Sequence, residues 1–247
     1  MKTLRESLLD DFGSQAKDLR KEQIKEWLEK NNRHRSNFKI NDDYTINIYT
    51  FDYKGDGDFP DFIQFNRCEV DFICNDRNMT SLRGCPSEVG GNFNCRHNRL
   101  KTLDGGPKRV DEDYECSNNE LTSLRGCPSE VGGNFNCCHN RLKTLDDGPK
   151  RVDGGYVCHD NELISLKGCA ENIWDYFDCR NNQLEDLVGG PKTVKGNYFC
   201  EYNKDLISLD GGPNIVKGDI YLKDTGIQKE EIEHFLKTHP RVHGISA

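Results

Sequence analysis

Seven cysteines, Cys74, Cys95, Cys116, Cys137, Cys158, Cys179 and Cys200, follow one another at a constant interval of 21 residues. A row of thiols could bind a soft metal as thiolates or exchange disulfides. Geometry argues against the disulfides. If 21 residues make one turn of a coil with in-register strands, neighbouring Cβ vectors run parallel at about 4.8 Å, beyond the roughly 3.5 to 4.5 Å that a bridge requires. A cysteine in such an inward column is a small buried hydrophobe. Cys85, Cys127 and Cys169 recur every 42 residues, on alternate turns, which separates them by about 9.6 Å. Cys138 lies one residue outside the row, so it is expected to point to solvent and to be the thiol that reacts.

His97, His139 and His159 stand beside row cysteines in CRHN, CCHN and CHDN. A zinc site built with Cys138 on the exposed face is one reading of them. No C-x-x-C or H-x-x-x-H spacing supports it, and a solvated face without metal is the reading kept. Gly90-Gly91 and Gly132-Gly133 open strands rather than helices and are turn glycines, not a phosphate loop. KGDGDFPD, Lys54 to Asp61, lacks the spaced ligands and terminal Glu of a calcium loop and reads as a plain turn. No Ser/His/Asp set or carboxylate pair has a motif behind it. Neither an enzyme activity nor a cofactor is expected.

What must position these residues is the repeat itself. An aromatic precedes each cysteine by two residues (Phe72, Phe93, Tyr114, Phe135, Tyr156, Phe177, Tyr198), and Val or Ile precedes it by six from Val89 to Val194. Asn follows three residues later, from Asn98 to Asn203, and leucines follow at five and eight, as in Leu100 and Leu103. Aromatic and cysteine at alternate positions make a short strand with one face inward, and the Asn column can bond backbone groups where the chain leaves the strand. Glycines and prolines such as Gly84 and Pro86 mark the opposite turn. A second period is laid over the first, because TSLRGCPSEVGGNFNC at Thr80 returns unchanged at Thr122. The unit of duplication is two turns. The ends degenerate: Arg77 stands where Asn belongs, and Leu222 replaces the cysteine after an insertion near Lys204 and Asp205.

Ala16 to Asn31 reads as a helix with Ile24, Trp27 and Leu28 on one face, and Asn41 to Tyr53 as a strand through Ile46 and Ile48. Gln228 to Lys237 reads as a second helix, burying Ile232, Phe235 and Leu236. Met1 to Ser14 is open between tail and helix. The turn V-x-x-x-F-x-C-x-x-N-x-L-x-x-L-x-G-x-P resembles the leucine-rich repeat, with aromatic and cysteine in two of its leucine columns. Together with MKTLRESLLDDF, the IKEWLEK helix and INDDYTINI, it is similar to a family of leucine-rich repeat proteins of tailed phages. The resemblance implies a phage product that acts inside a bacterial host as an interaction module.

The expected fold is a right-handed leucine-rich-repeat solenoid with a parallel β-sheet on its concave face and helical caps at both ends. Its expected parts are an N-terminal segment (1–15), a helix and strand cap (16–67), about seven turns (68–224) and a C-terminal helical cap (225–247). No L-x-L pairing precedes Cys68, and the coil is placed from there. The charge of -8 and pI near 5.4 speak against a phosphate-neutralising surface, so no nucleic-acid partner is expected. No apolar run of membrane-spanning length occurs, and Arg5, Glu6, Asp10 and Asp11 stand where a signal peptide would be apolar; a cytoplasmic protein is expected.

Packing leaves the outward strand positions free to vary. They are polar in the early turns, with Asn92, Asn94, Arg96, His97, Asp113, Glu115, Ser117 and Asn118. In the late turns Val157, Tyr176, Phe199, Tyr202 and Tyr221 join Arg180, Glu201 and Lys223. Aromatics beside charges are the composition of an interface centre, and these eight residues are the expected partner-binding face. The expected function is to hold, sequester or inhibit a host protein, a counter-defence role included. Two rivals stay open: a structural or virion-assembly component, and a small-ligand binder or enzyme using the His and acidic residues of the strand face, which would need a closed pocket. The short repeats of bacterial effector ligases are similar, but no sizeable catalytic domain is expected after Asp224.

Overall fold

The computed structural model describes the backbone from Leu4 to Ala247 and the side chains from Gln15 on, His243 excepted. Each 21-residue unit folds as two strands of two residues, separated by a three-residue corner, and each strand pairs in parallel with its equivalent in the next unit. One ladder contains the Val column, as in Val110 beside Val131, and the other contains the aromatic column, as in Phe135 beside Tyr156. Strands this short hold together because the ladder is continuous, so each backbone group finds its partner one turn away. The molecule is therefore a β-solenoid with parallel sheets and few helices, as the 21-residue period requires.

The ladders extend beyond Cys68 and Asp224. Ile46–Ile48 runs parallel to Phe65–Cys68, and Phe51–Asp52 runs parallel to Phe72–Ile73, so the segment expected as one capping strand is itself a turn of the coil. At the far end Ile215–Tyr221 joins both ladders into one strand and pairs with Val242–Ser246. The coil thus has about ten layers rather than seven. These outer layers keep the alternation of inward apolar and outward polar residues without the consensus letters. Tyr53 occupies the cysteine column, while Ile220 and Leu222 occupy the aromatic and cysteine columns. Phe38–Ile40 pairs antiparallel, against Ile46–Ile48, and an isolated antiparallel bridge joins Asn32 to Tyr53.

Side chains in the inward columns have almost no exposure: Val131, Phe135, Cys137, Leu142 and Leu145 all lie between 0% and 1%. The cysteines behave as small apolar residues whose thiols reach the carbonyl of the following turn, as Cys137 Sγ does to Val157 O at 3.4 Å. All twelve thiols are free. Burial pushes the row from Cys95 to Cys200 well above the ordinary thiol range, which keeps it neutral.

The Asn column does the bonding that its spacing predicts. Asn140 Nδ2 donates to the carbonyls of Cys116, Cys137 and Cys138 at 3.0 to 3.2 Å, and its Oδ1 accepts the N–H of Leu121 at 2.9 Å. Asn98, Asn119, Asn161, Asn182 and Asn203 repeat this pattern. Arg77 takes over part of the task in the first consensus turn: its Nε donates to Tyr53 O at 2.6 Å, the carbonyl 24 residues earlier that each Asn also reaches. The preceding residue turns the corner in the left-handed region, φ 51° to 60° from Asp76 through His97 and His139 to Asp224. Asp, Asn and His tolerate that region best, and they fill the column except at Tyr202.

The two-turn period also has a packing cause. Aromatic neighbours alternate between 5.0 Å and about 5.8 Å along Phe93, Tyr114, Phe135, Tyr156, Phe177 and Tyr198. Units with Phe carry Cys85, Cys127 or Cys169 before Pro86, Pro128 or Ala170, whereas units with Tyr carry Gly106, Gly148 or Gly190 before a proline. A Cβ on Gly148 would lie 3.0 Å from the Tyr156 hydroxyl. The tyrosine oxygen fills the room that cysteine occupies in the other units, so Phe with Cys and Tyr with Gly are volume-matched pairs.

A helix, α1 (Leu4–Asn31), precedes the coil and buries Ile24 and Leu28 in its core. Trp27 stacks at 6.2 Å on Phe51 and 5.9 Å on Tyr53. The helix therefore begins earlier than Ala16, settling the open reading of the N-terminal segment for its backbone from Leu4. The second helix, α2 (Lys229–Thr238), buries Phe235, with Ile232 and Leu236 partly covered. Lys54 to Asp61 is a loop whose Asp58 accepts from the N–H groups of Thr80 and Ser81 at 2.7 and 3.0 Å, so its acids hold the next turn.

Candidate interaction face

In the aromatic ladder, Glu115, Asn136, Val157, Asp178, Phe199 and Tyr221 form one outward column. The residues after the row cysteines, Ser117, Cys138, His159, Arg180, Glu201 and Lys223, form the next. Strand spacing near 4.8 Å brings successive members of a column into contact. Outward residues consequently cover one another, and Ser117, Cys138, Val157 and Asp178 are buried although none faces the core.

Five of the eight expected face residues form one cluster. The Phe199 ring stacks on Tyr221 at 5.0 Å and meets Tyr176 edge-on at 6.5 Å. The Arg180 guanidinium lies 5.1 Å from the Phe199 ring centre and is held by both oxygens of Asp178, at 2.9 and 2.6 Å. Glu201 Oε2 sits 4.0 Å from Arg180 Nε, buried and without a hydrogen bond. Val157 stands beside Asp178 and is 93% covered, so it supports the cluster more than it contacts solvent. Tyr202 is at the corner, 42% exposed, and its N–H donates to Lys223 O at 3.0 Å. Lys223 is exposed. Among the described residues, no ring contact or ion pair joins Tyr202 or Lys223 to the cluster.

Asp178 was absent from the expected face, yet it fixes the arginine that organises the cluster. Its signal was in the columns, since it occupies the position between aromatic and cysteine where Glu115 and Phe199 also stand. Burial of Tyr176 beside Asp175 and Asp178 raises its phenol, so the ring keeps a neutral hydroxyl. The Arg180 guanidinium is held charged, chiefly by its bonds to Asp178.

The expectation for Cys138 needs correction. It points outward, in one column with Ser117 and His159, yet only 6% of it is exposed. Burial first, then the charges of Glu115, Asp160 and Asp178, pushes its thiol up to about 11, which opposes reaction as thiolate at neutral pH. The histidines beside it are not dispersed over a solvated face either. Ligand atoms of Cys138, His139 and His159 lie within 4.8 Å of one another. The two imidazoles meet edge-on at 5.2 Å, and the Asp160 carboxylate lies 2.5 Å from His159 Nδ1 and 3.7 Å from His139 Nε2. These three residues could hold a metal ion. His97 has no such companions, since Arg96, Ser117 and Asn118 surround the equivalent place.

A hollow of about 520 Å³ lies elsewhere, against α1, lined by Leu28, His34, Arg35 and Phe38. No helix of the described residues is long and apolar enough to cross a membrane. Comparison with protein-family models, with curated proteins and with solved structures finds no match.

Proposed function

We propose that this chain is a non-enzymatic binding module of leucine-rich-repeat type, with α1 and α2 closing the ends of its coil, that holds a protein partner on the face from Val157 to Lys223. The observation that carries this reading is the Tyr176, Phe199 and Tyr221 group with Arg180 clamped across it. Large rings ordered before binding lose little conformational freedom on contact, and rings with arginine are the residues on which binding energy concentrates. Glu201 Oε2, buried without a donor, would gain most from a cationic or N–H group of the partner. Tyr202 adds a second argument, because a bulky residue at φ 60° is retained against its own conformational cost. In keeping with the phage resemblance, the partner is a host protein and the outcome is sequestration or inhibition in the bacterial cytoplasm.

The test is an affinity pull-down from host lysate with the wild-type chain and with a Tyr176→Ala, Phe199→Ala, Tyr202→Ala variant whose fold is checked by circular dichroism. A protein retained by the first and lost by the second supports this face. Equal retention moves the site to the polar turns. No retained protein favours the structural or assembly role.

A further inference from the structure

The duplicated turn pairs offer an internal control that singles out one group of residues. Thr80 to Glu120 and Thr122 to Glu162 align without gaps over 41 positions and differ at seven. Three of those seven differences replace Arg96 by Cys138, Ser117 by His159 and Asn118 by Asp160, and the fourth member, His139, is shared with His97. Residues scattered over two successive turns have thus changed together into two metal ligands and a carboxylate beside a histidine already present.

We propose that Cys138, His139 and His159 form a binding site for a divalent transition metal, zinc in the first instance, with Asp160 orienting the imidazoles. The ligand set is sulfur plus two imidazole nitrogens, which suits a borderline-soft ion with a strong tetrahedral tendency. Bonds of about 2.0 Å to nitrogen and 2.3 Å to sulfur place tetrahedral ligands about 3.3 to 3.5 Å apart. The three atoms already lie within 4.8 Å, so side-chain rotation must close the set by about 1 Å. His159 Nδ1 faces Asp160 at 2.5 Å. A proton held there leaves Nε2 with its lone pair free for the metal, the usual arrangement of a carboxylate behind a ligating histidine. The fourth position falls to water.

The surroundings favour a cation. Glu115, Asp160 and Asp178 all act on Cys138 with negative charge, and the Arg180 guanidinium is bound to Asp178. The backbone also constrains the site: His139 occupies the left-handed corner at φ 52°, which fixes its Cα relative to the neighbouring strand. The row cysteines are sealed in the core and do not compete while the chain is folded.

The experiment uses untagged, chelator-stripped, reduced protein titrated with Co²⁺ alone and then with Zn²⁺. Expected for the wild type are one cobalt per chain, the intense visible bands of tetrahedral cobalt, a thiolate-to-cobalt charge-transfer band and displacement of both by zinc. Cys138→Arg and His159→Ser restore residues that the sister turns accommodate, so both should fold. Cys138→Arg should remove the charge-transfer band and weaken binding at least 100-fold. Asp160→Asn should keep the band and weaken binding roughly 10- to 100-fold, as loss of an orienting carboxylate does. The proposal is overturned if cobalt stays six-coordinate in the wild type, or if the charge-transfer band survives in folded Cys138→Arg. Neither result bears on the protein-binding face, which the pull-down tests separately.

Discussion

In the turn pair from Thr80 to Glu120, the outward strand face carries Asn94, Arg96, Glu115 and Ser117; in the pair from Thr122 to Glu162 it carries Asn136, Cys138, Val157 and His159. Arg96 is exposed and Glu115 half-buried, whereas Cys138 and Val157 are covered. Beneath them nothing has changed. Phe93 and Phe135 hold the same place in the ladder, and Asn98 and Asn140 make the same bonds to the cysteine carbonyls. The inward columns are fixed by shared volume and shared hydrogen bonds, so a change there propagates to both neighbouring turns. The outward columns touch only one another and are where turns of one origin have acquired different chemistry.

The largest expected effect breaks the interior as a whole. The ordinary thiol value is 9.0; in the fold Cys68 is pushed up to about 12 and the row from Cys95 to Cys200 is raised well above the ordinary range, with burial the leading cause. Above pH 9 the unfolded chain therefore loses protons that the folded chain retains. Stability is complete below that value and falls as pH rises, by about 1.36 kcal/mol per pH unit for each fully buried thiol until its folded pKa is reached. Urea midpoints should hold steady from pH 6 to 8 and collapse between pH 9 and 10.5. A midpoint unchanged at pH 10 would show that the row does not stay neutral and buried.

Single substitutions sharpen the same contrast. Asn140→Ala removes donors from three carbonyls and leaves the Leu121 N–H without its acceptor. It should cost about 3 kcal/mol or more. Asn136→Ala, on the outward column of the same turn, loses bonds to Glu115 and to the Cys138 N–H. It should cost less than about 1 kcal/mol. Equal losses in chemical denaturation would erase the distinction between the two columns.

How much could be read from the sequence follows the same division. The interior was legible because identical residues recur at a fixed interval: the 21-residue turn, the parallel pairing, the bonded Asn column and the buried cysteines are all consequences of periodicity. Legibility ended where letters and shape part company. Ile46–Ile48 and Val242–Ser246 continue the ladder with no consensus residue, because register needs only an apolar residue facing inward. The outward face was legible as columns but not as contacts. Spacing shows neither Asp178 as the anchor of Arg180 nor Cys138 as covered, because it gives a side chain's direction and not what its neighbours cover.

The matched pairs of the core allow a finer break. Gly148→Ala places a methyl 3.0 Å from the Tyr156 hydroxyl and 2.9 Å from Leu145 O. It should destabilise by about 1 to 3 kcal/mol as overpacking. Tyr156→Phe removes a buried hydroxyl that has no hydrogen-bond partner, so alone it should be neutral or slightly stabilising. Combined, the two changes approach the Phe135 and Cys127 arrangement of the preceding unit, and Tyr156→Phe should recover most of what Gly148→Ala loses. A strictly additive double mutant would mean that the two-turn period has another cause.

The smallest effect concerns the one corner where interior and face make opposing demands. At Tyr202 the backbone requires φ 60°, which the seven equivalent corners meet with Asp, Asn or His. A large side chain there costs on the order of 1 kcal/mol. Tyr202→Asn should therefore raise stability by about 0.5 to 1 kcal/mol while the N–H still donates to Lys223 O at 3.0 Å. If the tyrosine is kept for binding, the more stable variant should retain less partner in the pull-down, the trade expected where strain sits in a functional site. A variant that gains stability and binds as before would remove Tyr202 from the face. A variant that loses stability would show that the ring packs at the corner, and that the strained backbone is held for structure rather than recognition.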